Sequence, residues 1–325
     1  MCLIERIEVS AMENESVLQD PLFPKMLLTA TLYYKEKLSQ QEIAQQLNIS
    51  RPWVSKLLKR AEEAGIVRIE VLSPYTGNTE LEQTLCEKYH LQHCAIAHGQ
   101  DPDLGRSAQD AAEYFLSLLQ PEDTIGVGWG TSVSRLISRV EPRSFPNVRI
   151  VPLAGSFGNT ISHFPNFSAL RLSEILGGEA CVLHTPALCA SREEYDLLTA
   201  NEATRTVLHR AEHADILLLG IGAFADSVSP QYGVFGPDEI QALRSQNAIG
   251  DVALQYLSAD GQPIDIPATQ QLIKADIFKA SANARASIGI AAGLQKVRTI
   301  DAALKLHLVN ALFTNEETAL ALLGL

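Results

Sequence analysis

The chain has 325 residues, 46% of them hydrophobic and 20% charged, with a formal net charge of −12. It is long enough to bury a large core and to split into two domains, and too rich in apolar residues for a disordered chain. No apolar run approaches the roughly 20 residues of a membrane helix, and the N-terminus lacks a signal-peptide core, so a cytoplasmic protein is expected. The five cysteines, Cys2, Cys86, Cys94, Cys181 and Cys189, are scattered and form no CxxC pair. They read as reduced thiols, with neither a metal site nor a cofactor expected.

Residues 1–20 read as a loose acidic tail. From residue 21 to 73 the pattern is helical and ends in a short strand. Leu22 to Tyr34 is an amphipathic supporting helix. The stretch SQQEIAQQLNISRPWVSKLLKRAEEAG, Ser39 to Gly65, then reads as two helices joined by a turn. Ser39 with Glu42 is a helix start, and Ile43, Ala44 and Leu47 form one apolar face. Asn48 tolerates the left-handed conformation of a tight turn, and Ile49 plugs it. Ser50 can cap the second helix, whose first turn tolerates Pro52. Val54, Leu57, Leu58 and Ala61 face inward, and Gly65 suits the helix end. The segment IVRIEVL alternates as a strand, like the start of a wing.

This is the spacing of a winged-type helix-turn-helix. The outward residues of its second helix, Arg51, Trp53, Ser55, Lys56, Lys59 and Arg60, suit base edges and phosphates, and Ser50, Arg51, Trp53, Ser55, Lys56 and Lys59 are the residues expected to bind DNA. Between Lys25 and Arg60 seven cations stand against two anions. A basic head on an acidic body can dock on DNA because charge is screened within about 10 Å at ordinary salt.

Residues 74–79 read as a linker dense in turn formers, and residues 80–325 as a second domain of alternating strands and helices. Short apolar runs such as VRIVPLAG, ACVLHTP, ADILLLGIG, ASIGIAAG and HLVNALFT alternate with helical stretches. That pattern predicts a doubly wound, mostly parallel α/β sheet. Three strands exit into glycine: IGVGWGTS (125–132), LLLGIGAF (217–224) and IAAGLQKV (290–297). Ligands of open α/β sheets sit at strand C-termini, where glycine lets backbone N–H groups approach an anion. Neither GxGxxG nor GxxxxGK[ST] is present, so the turns point to a small anionic ligand rather than a nucleotide.

The helix-turn-helix followed by GVGWGTS, VPLAG, DILLLGIG, AIGDVALQYLSADGQPI, IGIAAGLQKVRTIDAALK and HLVNALFTNEETALALL resembles the SorC family of bacterial transcriptional regulators, from about Lys25 onward. The resemblance implies a C-terminal domain akin to sugar-phosphate isomerases, binding a sugar, polyol or sugar phosphate as effector. It implies a dimer or tetramer on a double-stranded operator, usually as a repressor of a sugar-catabolism operon. It implicates Gly128, Gly130, Thr131 and Ser132 as a cradle, Asp251 in the AIGDV turn as acceptor for sugar hydroxyls, and Lys296 as partner of an anionic group. Gly155 and Ser156 extend the set, and the loop after them offers Asn159, His163 and Asn166. The chain departs from some relatives at Ala154, where they carry Arg or Lys. The competing reading is a sugar-phosphate isomerase or deaminase-like enzyme with an appended DNA-binding domain. No paired acid–base motif announces such chemistry, so a binder without catalytic residues is preferred.

Overall fold

The computed structural model describes residues 5–8, 22–64, 66–71, 79–99, 101, 104–156, 164–224 and 235–325. The chain divides into two compact units, Met1–Thr76 and Gly77–Leu325. Gly65, Asn159 and His163, and nearly all of the stretch read as the linker, lie outside the described residues.

The first unit contains β1 (Glu5–Glu8), α1 (Phe23–Ala30), a π-helical turn over Thr31–Lys35, α2 (Gln40–Gln46), α3 (Arg51–Glu63) and β2 (Arg68–Val71). α2 opens with a full capping box: Glu42 N–H donates to Ser39 Oγ at 3.3 Å, and Ser39 N–H donates back to Glu42 Oε2 at 2.8 Å. Two orphan donors of the helix start are satisfied reciprocally. Asn48 ends the turn with φ 52°, the left-handed conformation its short polar side chain tolerates. Val54, Leu57, Leu58 and Ala61 of α3 are buried with Met26, Ala30, Leu32, Ile43 and Ala44. Ile49 packs against both halves of this core. Two expectations need correction. The supporting helix changes geometry along its length: it is α-helical to Ala30, and the next turn, where Thr31 Oγ1 donates to Leu27 O, widens to π geometry. The tail is not wholly loose: Glu5–Glu8 pairs antiparallel with β2, in register from Glu5 with Val71 to Glu8 with Arg68. The strand read as a wing therefore takes its partner from the N-terminus.

The second unit is built on one sheet. Its strands are β3 (His93–Ala97), β4 (Thr124–Val127), β5 (Arg149–Pro152), β6 (Glu179–Ala180), β7 (Ile216–Ala223), β8 (Ala248–Val252), β9 (Gln255–Ser258), β10 (Ala286–Ile290) and β11 (Ala311–Asn315). The order β3-β11-β10-β7-β4-β5-β6 is parallel throughout, and the β8–β9 hairpin adds antiparallel to the C-terminal end of β7. The helices are α4 (Thr79–Tyr89), α5 (Gly105–Leu118), α6 (Thr131–Arg139), α7 (Pro165–Leu176), α8 (Arg192–Ala200), α9 (Glu202–Glu212), α10 (Pro237–Ser245), α11 (Pro267–Gln270), α12 (Ile277–Asn283), α13 (Val297–Lys305) and α14 (Glu316–Leu323).

Alternation in β7 shows how both faces are covered. Leu217, Leu219 and Ile221 face one core with residues of α4, α9, α12, α13 and α14. Ile216 and Leu218 face the other, with residues of α5, α6 and α7. A strand buried on both sides must be apolar at every position, which is why ILLL reads as an unbroken run. At the opposite end from the glycine exits, the Arg285 guanidinium clamps the buried Asp123 carboxylate through both nitrogens, Nη1 donating to Oδ1 at 2.8 Å and Nη2 to Oδ2, and so ties β10 to β4. The ACVLHTP run is corrected: strand pairing stops at Ala180, and Leu183 N–H instead donates to Asn166 Oδ1 at 2.9 Å.

Candidate functional site

The first candidate surface is α3. Ser50, Arg51, Ser55, Lys56 and Lys59 are exposed. Trp53 differs from its fellows: it is half-buried against the core of the unit, and Lys56 Nζ sits 5.4 Å from its ring centroid. Its indole thus steadies the helix and positions a cation at the same time. Burial of Val54 and Leu57 on the opposite side fixes which face of α3 points outward.

The second candidate site lies along the C-terminal edge of the parallel sheet. The chain leaves β4 toward β5 on one side, whereas β7 leads on to β10 on the other. β4 and β7 are neighbours, so their exits flank the topological switch point at which open α/β sheets bind ligands. Two glycines allow the exits to touch. A Cβ on Gly128 would sit 3.1 Å from Leu218 O, and one on Gly220 would sit 3.1 Å from Trp129 O. Gly130 is the N-cap of α6 with φ 105°, a conformation essentially reserved for glycine. A helix start that opens on a glycine offers its first N–H groups no cap from its own N-cap residue, which suits an anion there. Thr131 is exposed there and Ser132 is buried.

The other implicated residues reach the same edge by different routes. Asp251 lies on β8, opposite Gly222 of β7, and is 2% exposed. It is thus in a strand rather than in the turn expected for AIGDV. The turn follows it, with Ala253 and Leu254 both at positive φ (50° and 64°). Such a turn ordinarily takes Asn-Gly. Here the Asp251 carboxylate helps hold it, accepting from Leu254 N–H at 3.0 Å. Lys296 ends the short 3-10 turn Leu294–Lys296 after Gly293 (φ 117°), and this turn packs beside β7. Gly155 has a packing reason to be glycine, since an added Cβ would lie 2.3 Å from Pro186 O. Asn166 is committed to structure: its amide nitrogen donates to Ser156 Oγ and to Leu183 O, both at 3.0 Å.

Two polar groups at this edge escape the sequence reading. Lys274 sits in an antiparallel bridge opposite Ala154 and donates to Gln255 Oε1 at 3.0 Å. Burial lowers the affinity of its amine for the proton, and the carboxylates of Asp276, Asp251 and Glu212 work against that. Tyr256, the cross-strand partner of Asp251, is fully buried. Burial and then Asp251 push its phenol well above the ordinary range. A lysine inside the apolar run QLIKADIF is the signal that marks the first. Among the described residues no cluster of His, Cys, Asp and Glu suits a metal ion, and no helix is long and apolar enough to cross a membrane.

Comparison with known proteins places these features. Residues 73–324 match the family described as "Putative sugar-binding domain", and residues 31–63 match sigma-70 region 4. The chain is 30% identical to the sorbitol operon regulator of Klebsiella pneumoniae, covering 90% of this chain and 96% of that one. It is 29% identical to the deoxyribonucleoside regulator of Bacillus subtilis, covering 91% and 96%. The crystal structure of the full-length Klebsiella regulator SorC superposes with a TM-score of 0.71 over 95% of this chain and 100% of that one. A DNA-binding head and a sugar-binding domain on a doubly wound sheet, matched over nearly the whole chain, show that this protein belongs to the SorC family of transcriptional regulators.

Proposed function

We propose that the protein is a repressor of a sugar-catabolism operon that releases its operator when a sugar, polyol or sugar phosphate binds at the strand exits. Residues 21–73 are the DNA-binding domain, 74–79 the linker, and 80–325 the effector-binding and oligomerisation domain. Ser50, Arg51, Trp53, Ser55, Lys56 and Lys59 are the residues offered to DNA; all but Trp53 are exposed, on or next to α3. Reading a two-fold or repeated operator takes at least two such heads, so the working form is a homo-oligomer, dimer or tetramer.

In the effector site, Gly128, Gly130, Thr131 and Ser132 form the cradle at the glycine-led start of α6. Gly155 and Ser156 shape the neighbouring exit of β5. Asp251 accepts bonds from sugar hydroxyls, and Lys296 meets an anionic group. The observation that carries this reading is the meeting of the α6 start, the Asp251 hairpin and the Lys296 turn at one edge, beside the switch point. A domain that binds and does not catalyse fits the relatives, which are regulators. It also fits Asp251, whose carboxylate already serves the Leu254 turn. The protein acts in the cytoplasm, where operator and metabolite meet.

The test is a thermal-shift panel of sugars, polyols and their phosphates. A ligand at a hundredfold excess over Kd stabilises by roughly 2.7 kcal/mol. The compound giving the largest shift is then added to operator-bound protein. Release of operator supports the reading, whereas tighter binding makes the effector a co-repressor and overturns the sign proposed. Turnover of any sugar phosphate in the panel overturns the binder assignment.

A further inference from the structure

We infer that Lys274 and Tyr256 are further effector contacts, an ammonium and a hydroxyl that together select an anionic oxygen, phosphate or carboxylate, on the ligand. The inference rests on the effector reading of the strand-exit site and adds two residues to it.

Backbone pairing places the lysine. Gly155 N–H donates to Ile273 O at 3.0 Å and Ala275 N–H donates to Leu153 O at 2.8 Å, on either side of the Ala154–Lys274 bridge. A pair flanked in this way is the non-hydrogen-bonded kind, whose side chains lie closest and share a face. Ala154 is buried in an apolar corner with Leu254 and Tyr256, against which Trp129 of the β4 exit and Phe224 of the β7 exit also pack. The Lys274 stem therefore enters the corner where three strand exits meet. Its ammonium has three N–H groups, and among the described residues Gln255 takes one.

The tyrosine supplies an independent observation. Tyr256 is fully buried, yet its hydroxyl has no hydrogen-bond partner among the described residues. A phenylalanine would fill the same space without that cost, since burying an unpaired hydroxyl disfavours the free protein. The hydroxyl gains a reason when a ligand oxygen completes it. Asp251 is the element common to both, opposite Tyr256 in the hairpin and among the carboxylates that act on the Lys274 amine. The ammonium and the phenol suit a charged oxygen and the carboxylate a neighbouring hydroxyl.

The experiment uses the full-length chain and four probes: inorganic phosphate, ribose 5-phosphate, fructose 6-phosphate and glucitol 6-phosphate. Each ester is run beside its unphosphorylated parent. Affinity is read by calorimetry and stability by thermal melting. A phosphate ester should bind the wild type more tightly than its parent, and Lys274→Met should weaken it about tenfold or more. Moving the amine across the bridge, in Lys274→Ala with Ala154→Lys, should recover most of the loss. Tyr256→Phe should weaken the ester while leaving the melting temperature of the free protein unchanged or higher, a combination that a structural hydroxyl does not give. Wild-type affinity in both Lys274→Met and Tyr256→Phe would overturn the inference and leave the effector site standing. If no probe binds the wild type, the effector reading falls for this ligand class and the inference falls with it. Should Lys274→Met fail to fold, Tyr256→Phe decides alone, because it removes only an unpaired group.

Discussion

Gly250→Ala tests whether the β8–β9 hairpin positions the effector site. The new Cβ would lie 2.0 Å from Gly222 O, 2.5 Å from Thr299 Oγ1 and 2.7 Å from Thr299 Cγ2. None of these neighbours can step aside cheaply. Gly222 O belongs to β7, in the sheet, and Thr299 is fully buried with its hydroxyl already donating to Ile249 O at 3.0 Å. The φ of Gly250 is not in the left-handed region, so the cost is one of space and not of backbone conformation. Forcing a methyl into a packed site costs about 1–3 kcal/mol, and a backbone neighbour puts this case near the upper end. In a unit of this size each kcal/mol moves the melting temperature by about 2–4 °C, so a fall of about 6–12 °C is expected by calorimetry. Because the hairpin must tilt off β7, Asp251 moves with it. Effector should then fail to shift the melting temperature, while operator binding without effector persists. Gly130→Ala is the contrast: no atom lies within 4 Å of its Cβ, and only the φ of 105° resists it. A Gly250→Ala protein that melts within a degree of the wild type and keeps its effector midpoint would refute this account of the hairpin.

Arg51→Ala and Lys56→Ala should each cost roughly 1–3 kcal/mol in operator binding where the side chain reads a base, and equal losses on operator and random DNA, by fluorescence anisotropy, would mark phosphate contacts instead. Ser39→Ala removes the capping box and should destabilise the DNA-binding unit by about 1 kcal/mol in chemical denaturation. Glu42 is held below its usual carboxylate range by the Ser39 N–H and then the Ser39 hydroxyl. Its contribution is therefore present above the unfolded value and lost as pH falls through the folded one, which an NMR titration of Glu42 and an acid melt of the unit should show together. Arg285→Met strands the buried Asp123 carboxylate and should cost about 3 kcal/mol in the melt of the second unit, with operator affinity in its absence of effector unchanged.

Much of the fold is legible in the sequence because it is written in local periods. The helix-turn-helix shows through the spacing of Ile43, Ala44, Val54, Leu57 and Leu58, and the parallel strands through unbroken runs such as ILLL. Pairings between distant segments are not written that way. Nothing local in Glu5–Glu8 marks it as the partner of Arg68–Val71. The hairpin that carries Asp251 turns on Ala253 and Leu254, residues that carry no turn signature, so its geometry depends on the carboxylate bond and on packing against Thr299. The glycine exits are visible one by one, but only the strand order shows that two of them flank the switch point. Lys274 is marked only as a lysine inside an apolar run; its partner is not legible, because Ala154 lies 120 positions away and meets it through a bridge.

The central claim is that ligand at the strand exits controls the grip on DNA. It is tested most directly by operator affinity of the wild type and Lys296→Ala, each with and without the panel compound that most stabilises the wild type. Coupling between sites is typically about 1–3 kcal/mol, so wild-type affinity should fall roughly 5- to 150-fold on adding effector. Lys296→Ala should bind operator as the wild type does without effector and lose the response. An unchanged wild-type affinity at saturating ligand, or a Lys296→Ala protein that responds at the same concentration, would contradict the account.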